Sequence, residues 1–155
     1  MFQSFRILLV EDDDSLRNCL SEFLAEYGWY VGAVGHSEEA VWLARRQRFD
    51  FSILDFHLPG MTGLELFQHL ATIRPLPGIL MSGQASAEEA AAARHAGFFT
   101  FLRKPLELDR LRQAVQMLIH SHFGGPLTPL VTPPADPQQH LQRPQPPSNP
   151  PRRQF

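Results

Sequence analysis

Cysteine is almost absent from this sequence. Cys19 stands alone, which excludes an intramolecular disulfide framework and any multi-cysteine zinc or iron–sulfur site, and fits a reducing compartment. Long apolar runs are missing too. The N-terminal run lasts only from Ile7 to Val10 before four acids arrive, so neither a signal-peptide core nor a membrane span is expected, and the sequence reads as cytoplasmic. There is no excess of positive charge. The 14 lysines and arginines are set against 16 acids, a formal charge of -2, which gives no electrostatic case for a nucleic-acid or anionic-membrane partner. No Gly-rich phosphate loop precedes a Lys-Ser or Lys-Thr pair, so no nucleotide site is evident.

Proline is scarce where a fold is expected and dense after it, with 4 in residues 1–123 and 10 in residues 124–155. The expected organisation is one domain over residues 5–123 and a proline-rich, disordered tail over 124–155, which has too few large apolar side chains to offset its ordering entropy. Pro147 to Arg152 resembles a polyproline ligand, but a tether or a disordered end is the simpler reading. The tail holds three arginines and one acid, which leaves 11 basic and 15 acidic residues in the part expected to fold.

What is present in residues 5–123 is a short apolar run followed by a helical pattern, five times over. Ile7 to Val10 is apolar on consecutive positions, the mark of a strand buried on both faces of a parallel sheet. Leu16, Cys19, Leu20, Phe23, Leu24 and Tyr27 then follow helical spacing up to Gly28, which places Cys19 on the apolar face as a small buried hydrophobe. Strands are expected at Trp29–Val34, Phe51–Leu54, Gly78–Met81 and Phe98–Leu102. Ser37 opens a helix with Glu38 and Glu39 in its first turn, and Leu66, Leu70 and Ile73 mark another that Pro75 ends. Ser86 to Glu89 reads as a capping box opening an Ala-rich helix closed by Gly97. The last helix carries Leu108, Leu111, Val115 and Leu118, and its terminal His120 and His122 read as cations favoured by the helix dipole, not as metal ligands. Five such units predict an α/β, doubly wound, five-stranded parallel sheet covered by helices on both sides.

In such sheets ligands bind beyond the carboxyl ends of the strands. The first strand there ends in Glu11 to Asp14, the third in Asp55, the fourth in Ser82-Gly83, and the fifth is followed by Lys104-Pro105. Converging carboxylates repel unless their pKa values rise or a hard cation neutralises them, and magnesium needs only one or two of them while keeping positions for phosphate oxygens. Lys104 is the one lysine beside 13 arginines, which suits a compact point charge. The constellation fits a phosphoryl group held at Asp55.

These residues resemble the response-regulator receiver domains of two-component signalling over roughly residues 5–122. The resemblance rests on the acidic pair Glu11-Asp12, on Asp55 within the run Leu54 to Gly63, on Ser82 and on Lys104-Pro105. It implies a flavodoxin-like strand order 2-1-3-4-5. Asp55 would be the phospho-acceptor, served by a histidine kinase or a histidine phosphotransfer protein. Asp12 and Asp55 would ligate Mg2+, Glu11 would hold it through water, and the backbone carbonyl of His57 would complete the protein's share. Lys104 would pair with the phosphoryl group, and Ser82 with Phe101 would form the switch acting on an effector protein at the face of the fourth helix, fifth strand and fifth helix. A phosphorylation-dependent dimer is compatible with the same face. Phe101 stands where tyrosine is frequent, and His57 and Gln84 occupy positions that tune the lifetime of the phosphoryl group. Direct DNA binding is not expected, because the proline-rich tail is too short for an output domain.

Two other readings use the same residues. A degenerate receiver would dock constitutively, but the acid, hydroxyl and lysine positions are all filled. A magnesium-dependent phosphohydrolase would turn over repeatedly at Asp55, although the dehalogenase-like enzymes carry Asp-x-Asp on the first strand, where this chain has Glu11-Asp12-Asp13.

Overall fold

The computed structural model describes residues 3–125; of the tail expected over 124–155, all but its first two residues lie outside them. Strands β1 (Arg6–Val10), β2 (Tyr30–Val34), β3 (Phe51–Asp55), β4 (Gly78–Ser82) and β5 (Thr100–Arg103) alternate with helices α1 (Asp14–Ala25), α2 (Ser37–Arg46), α3 (Gly63–Ile73), α4 (Ala87–Ala96) and α5 (Leu108–Phe123). All strand pairs are parallel and the order is β2-β1-β3-β4-β5, as the alternation and the resemblance imply.

The consecutive apolar residues of the inner strands serve two cores. Ile7, Leu9, Ile53, Ile79 and Met81 face α1 and α5, packing with Leu20, Phe23, Leu24, Leu111, Val115 and Leu118. Leu8, Val10, Leu54 and Leu80 point the other way, against Ala40, Leu66, Leu70 and Ala93 of α2, α3 and α4. Strand side chains alternate between faces, so a run without polar interruptions supplies both layers at once. Each fully buried Leu or Ile contributes about 2 kcal/mol by leaving water. β3 and β4 are buried along their whole length, and at their carboxyl ends the apolar run gives way to the buried polar residues Asp55 and Ser82.

Three local expectations need correction. Cys19 is exposed, not buried. The stripe that packs is Leu20, Phe23 and Leu24, with Leu16 and Tyr27 partly buried, and at 100° per residue Cys19 falls just outside it. Ser37 does not cap α2: His36 holds the cap position without a side-chain bond, while the Ser37 hydroxyl donates to the Pro59 carbonyl at 3.0 Å and accepts from Met61 N at 3.2 Å. β5 begins at Thr100, because Gly97 ends α4 with φ +94° and Phe98 N donates back to Ala93 O at 3.1 Å, a helix-terminating turn that takes Phe98 out of the ladder.

Two backbone features shape the end of the sheet where the acids lie. Gly63 begins α3 so close to β3 that a Cβ there would meet the Asp55 carbonyl oxygen at 2.2 Å. No side chain fits, and the glycine lets α3 start directly beside Asp55. Ala85, between β4 and α4, has φ +42°, left-handed backbone that costs an L-residue about 1 kcal/mol. Ala85→Gly is therefore expected to stabilise the fold by up to about 1 kcal/mol, less the entropy glycine adds to the unfolded chain, as read from urea denaturation. A loss as large as glycine costs at an unstrained position, about 0.5–1 kcal/mol, would mean that no strain is held there.

Candidate functional site

Four adjacent strands, β1, β3, β4 and β5, deliver Glu11, Asp55, Ser82 and Lys104 to one end of the sheet. Parallel pairing puts these residues at equivalent heights: Val10 pairs with Leu54, Asp55 with Met81, and Ser82 with Arg103. Each residue in question is at most one position beyond a register pair. The Lys104 backbone N–H then donates to Ser82 O at 2.9 Å, which holds the chain after β5 against β4.

The Lys104 ammonium joins the two innermost carboxylates. Nζ lies 3.0 and 2.8 Å from the two oxygens of Glu11 and 3.0 Å from Oδ2 of Asp55. Glu11 is fully buried and Asp55 is 3% exposed. Glu11 also accepts from Asp13 N at 3.3 Å, and Asp55 Oδ1 accepts from His57 N at 3.2 Å. Burial pushes the Glu11 carboxyl above its ordinary range and the charge of Asp55 adds to that, with the Lys104 hydrogen bond and charge opposing both. Burial pulls Lys104 down, but its bonds to Glu11 and Asp55 and their negative charges outweigh it, so the ammonium is held above its usual value.

Asp12 points outward and is exposed, yet Glu11, Asp12 and Asp55 each offer an oxygen within 4.8 Å of the others. The donors are all anionic oxygens, the kind hard divalent cations take, and a soft metal would find neither sulfur nor imidazole among these three residues. Magnesium fits this donor set.

Ser82 is fully buried. Its hydroxyl donates to the Glu89 carboxylate, with Oε1 at 3.0 Å and Oε2 at 2.9 Å, and accepts from Gln84 N and Ala85 N, each at 3.3 Å. The His57 ring bonds Glu89 as well, with Nε2 3.3 Å from Oε1. Gln84 is exposed at the rim. Phe101 is partly buried and lines a cleft of about 270 Å³ between α4 and the segment leading into α5, together with Ala87, Ala90, Leu106 and Arg110.

The structure thus gathers Glu11, Asp12, Asp55 and Lys104 into one cluster and sets Ser82 with His57 in a second, adjoining one. Glu89 is the residue that the sequence reading missed. The capping box is only half formed, since Ser86 Oγ accepts from Glu89 N at 3.1 Å while the Glu89 side chain turns inward to Ser82. Glu89 shares a helix face with buried Ala93, one turn on, but the Ala-rich helix has no large apolar residues to mark that face in advance.

A doubly wound α/β domain with a lysine-bridged acidic cluster at the carboxyl ends of its central strands is the class of protein that this fold and site define. The chain belongs to the response regulator receiver domain family, whose model matches residues 7–116. Among relatives, it is 35% identical over 128 residues to the response regulator protein FleR of Pseudomonas aeruginosa, covering 79% of this chain and 27% of that one. It is 33% identical over 110 residues to the transcriptional regulatory protein GlrR of Escherichia coli, covering 70% of this chain and 25% of that one. The chain therefore spans about a quarter of these two relatives, and the shared part is the receiver. Among solved structures, the receiver domain of HemR from Leptospira biflexa superposes with a TM-score of 0.69 at 32% identity, over 74% of this chain and 93% of that one. A CheY-like receiver domain from Methanospirillum hungatei shares the fold with a TM-score of 0.73 at 24% identity, over 78% of this chain and 98% of that one. Among the described residues, no helix is long and apolar enough to cross a membrane.

Proposed function

We propose that this receiver takes a phosphoryl group on Asp55 from the phosphohistidine of a histidine kinase or a histidine phosphotransfer protein, and that the acyl phosphate switches a protein-binding surface. The observation that carries this reading is the Lys104 bridge, which holds an ammonium 3.0 Å from Asp55 and within reach of whatever that carboxylate bears. An Asp55 oxygen attacks phosphorus, forming an O–P bond as the N–P bond of the donor breaks. The imidazole leaves with the electron pair and takes a proton from solvent. The acyl phosphate is later lost by hydrolysis: water attacks phosphorus, the Asp55 O–P bond breaks, and the carboxylate, inorganic phosphate and a proton are released. The protein is consumed and regenerated at this one residue and does not turn over an external phosphate ester.

Asp12, Asp55 and the His57 carbonyl would hold a magnesium ion directly and Glu11 through water. When bound, the ion supplies charge neutralisation for a transfer that brings anion to anion. Lys104 keeps its proton across the physiological range and pairs with a phosphoryl oxygen. Ser82 lies on the neighbouring strand and donates its hydroxyl to another oxygen. Phe101 follows Ser82 inward, which reshapes the α4–β5–α5 face where an effector protein, or a second phosphorylated copy, would dock.

His57 and Gln84 flank the site mouth without being needed for attack. Exchanging either is expected to change the dephosphorylation rate severalfold while leaving phosphoryl uptake intact, as followed by loss of the mass adduct with time. Unchanged decay in both variants would remove this role.

The primary test incubates the full chain with magnesium and acetyl phosphate and measures intact mass. One added phosphoryl group that disappears with time is expected. Absence of any adduct, with a beryllofluoride titration also silent, would point to constitutive docking. Release of phosphate from an ester over many cycles would point to a phosphohydrolase.

A further inference from the structure

Ser82 has a single hydroxyl hydrogen, so it donates one strong hydrogen bond at a time. In this structure that hydrogen is given to Glu89, whose two oxygens lie 3.0 and 2.9 Å from Oγ. Both Ser82 and Glu89 are buried, at 0% and 8% exposure, so water does not substitute freely for either partner. The acceptor side of the hydroxyl is occupied as well, by Gln84 N and Ala85 N. Ser82 cannot donate to a phosphoryl oxygen on Asp55 without first giving up Glu89. We propose that Glu89 is a positioning residue that competes with the phosphoryl group for the Ser82 hydrogen and so holds the receiver in its unphosphorylated state. This inference rests on the proposed phosphorylation of Asp55 and adds to it the group that opposes the switch.

Three further observations give the competition its structural consequence. Glu89 lies in the first turn of α4, so its release frees the N-terminus of the helix that borders the Phe101 cleft. The β4–α4 loop that folds over Ser82 holds Ala85 at φ +42°, backbone that relaxes if the loop lets go. The His57 ring contacts Glu89 while the His57 backbone N–H bonds Asp55, so one residue connects the acceptor carboxylate to the latch. The net effect is a two-state element: Ser82 on Glu89 with the loop closed, or Ser82 on the phosphoryl group with Glu89 freed.

The test is a double-mutant cycle on the full chain, read by fluorine NMR titration with beryllofluoride in magnesium and by the lifetime of the acetyl-phosphate adduct. A hydrogen bond between a hydroxyl and a buried carboxylate is strong enough that Glu89→Ala is expected to lower the half-saturating beryllofluoride concentration about tenfold. Glu89→Gln keeps an oxygen for Ser82 but removes the charge, and should fall between alanine and wild type. In a Ser82→Ala background, Glu89→Ala should change the titration less than twofold, because nothing is left to compete for. Wild-type affinity in Glu89→Ala would overturn the proposal. So would an equal gain in the Ser82→Ala background, since removal of a nearby negative charge would then explain it. A wild-type protein that binds no beryllofluoride and takes up no phosphoryl group would instead sink the phospho-acceptor reading, and the latch with it.

Discussion

Replacing Lys104 with methionine is expected to destabilise the metal-free protein by about 3 kcal/mol at neutral pH, the typical effect of leaving a buried charge without its partner. The substitution preserves most of the volume and removes only the ammonium. Glu11 and Asp55, both buried at the end of the sheet, then face each other with no cation between them. The loss is expected to shrink as the pH falls. Glu11 already sits above its ordinary value of 4.5 because of burial and the charge of Asp55, and without Lys104 it rises further, so mild acid neutralises it. Urea unfolding of both proteins at pH 8 and near pH 5 reads this directly. Millimolar magnesium should narrow the gap as well, since the variant's cluster, stripped of its own cation, binds the ion more tightly than the wild type does and gains more folded-state stability from it. A difference that ignores both pH and magnesium would mean that the lysine matters through packing alone.

The same shifts fix the pH dependence of the wild type. Lys104 is held above its ordinary 10.5, so its contribution is fully present below that value and is lost as the pH rises through the folded-state value. Glu11 is also raised, so the folded chain binds its proton more tightly than the unfolded chain does. Stability linked to Glu11 is therefore present below 4.5 and declines as the pH rises through its folded value. The two groups leave opposite marks: an ionised Glu11 is a cost at neutral pH, and a charged Lys104 is what offsets it.

How much of this was legible in the sequence depends on the scale of the signal. The sheet and its order follow from uninterrupted apolar runs such as Ile7 to Val10, since only a strand covered on both faces tolerates them. Asp55 and Lys104 were visible because a polar residue at the end of such a run has nowhere to be except the mouth of the sheet. Cys19 was misplaced because a residue on the edge of a helical stripe can fall either way, and the packing of Leu20, Phe23 and Leu24 decides it. Ser37 and Glu89 were misassigned for a shared reason. Each occupies a position where local capping chemistry explains it, and each is taken over by a tertiary partner, Pro59 and Met61 in one case and Ser82 in the other. Local rules count only neighbours in the chain, and a buried hydrogen-bond partner from another element outcompetes them.

Replacing Asp55 with asparagine is expected to abolish phosphoryl uptake from acetyl phosphate while leaving the fold intact. The amide has nearly the shape of the carboxylate, and its single oxygen can keep one of the two bonds Asp55 accepts now, from His57 N on Oδ1 or from Lys104 Nζ on Oδ2. What it lacks is an anionic oxygen able to form an acyl phosphate. Its effect on stability separates this outcome from unfolding. Asp55 adds to the repulsion that raises Glu11, and its removal leaves the single Lys104 ammonium to serve one buried carboxylate instead of two. The variant should therefore unfold at a urea concentration no lower than that of the wild type. A stable variant with no adduct assigns the acceptor to Asp55. A stable variant that still gains one phosphoryl group would move the acceptor elsewhere, with Asp12 the first alternative, because it is the exposed carboxylate of the cluster and carries no counter-charge from Lys104. Combining Asp55→Asn with Asp12→Asn would then decide between the acidic cluster and a more distant side chain.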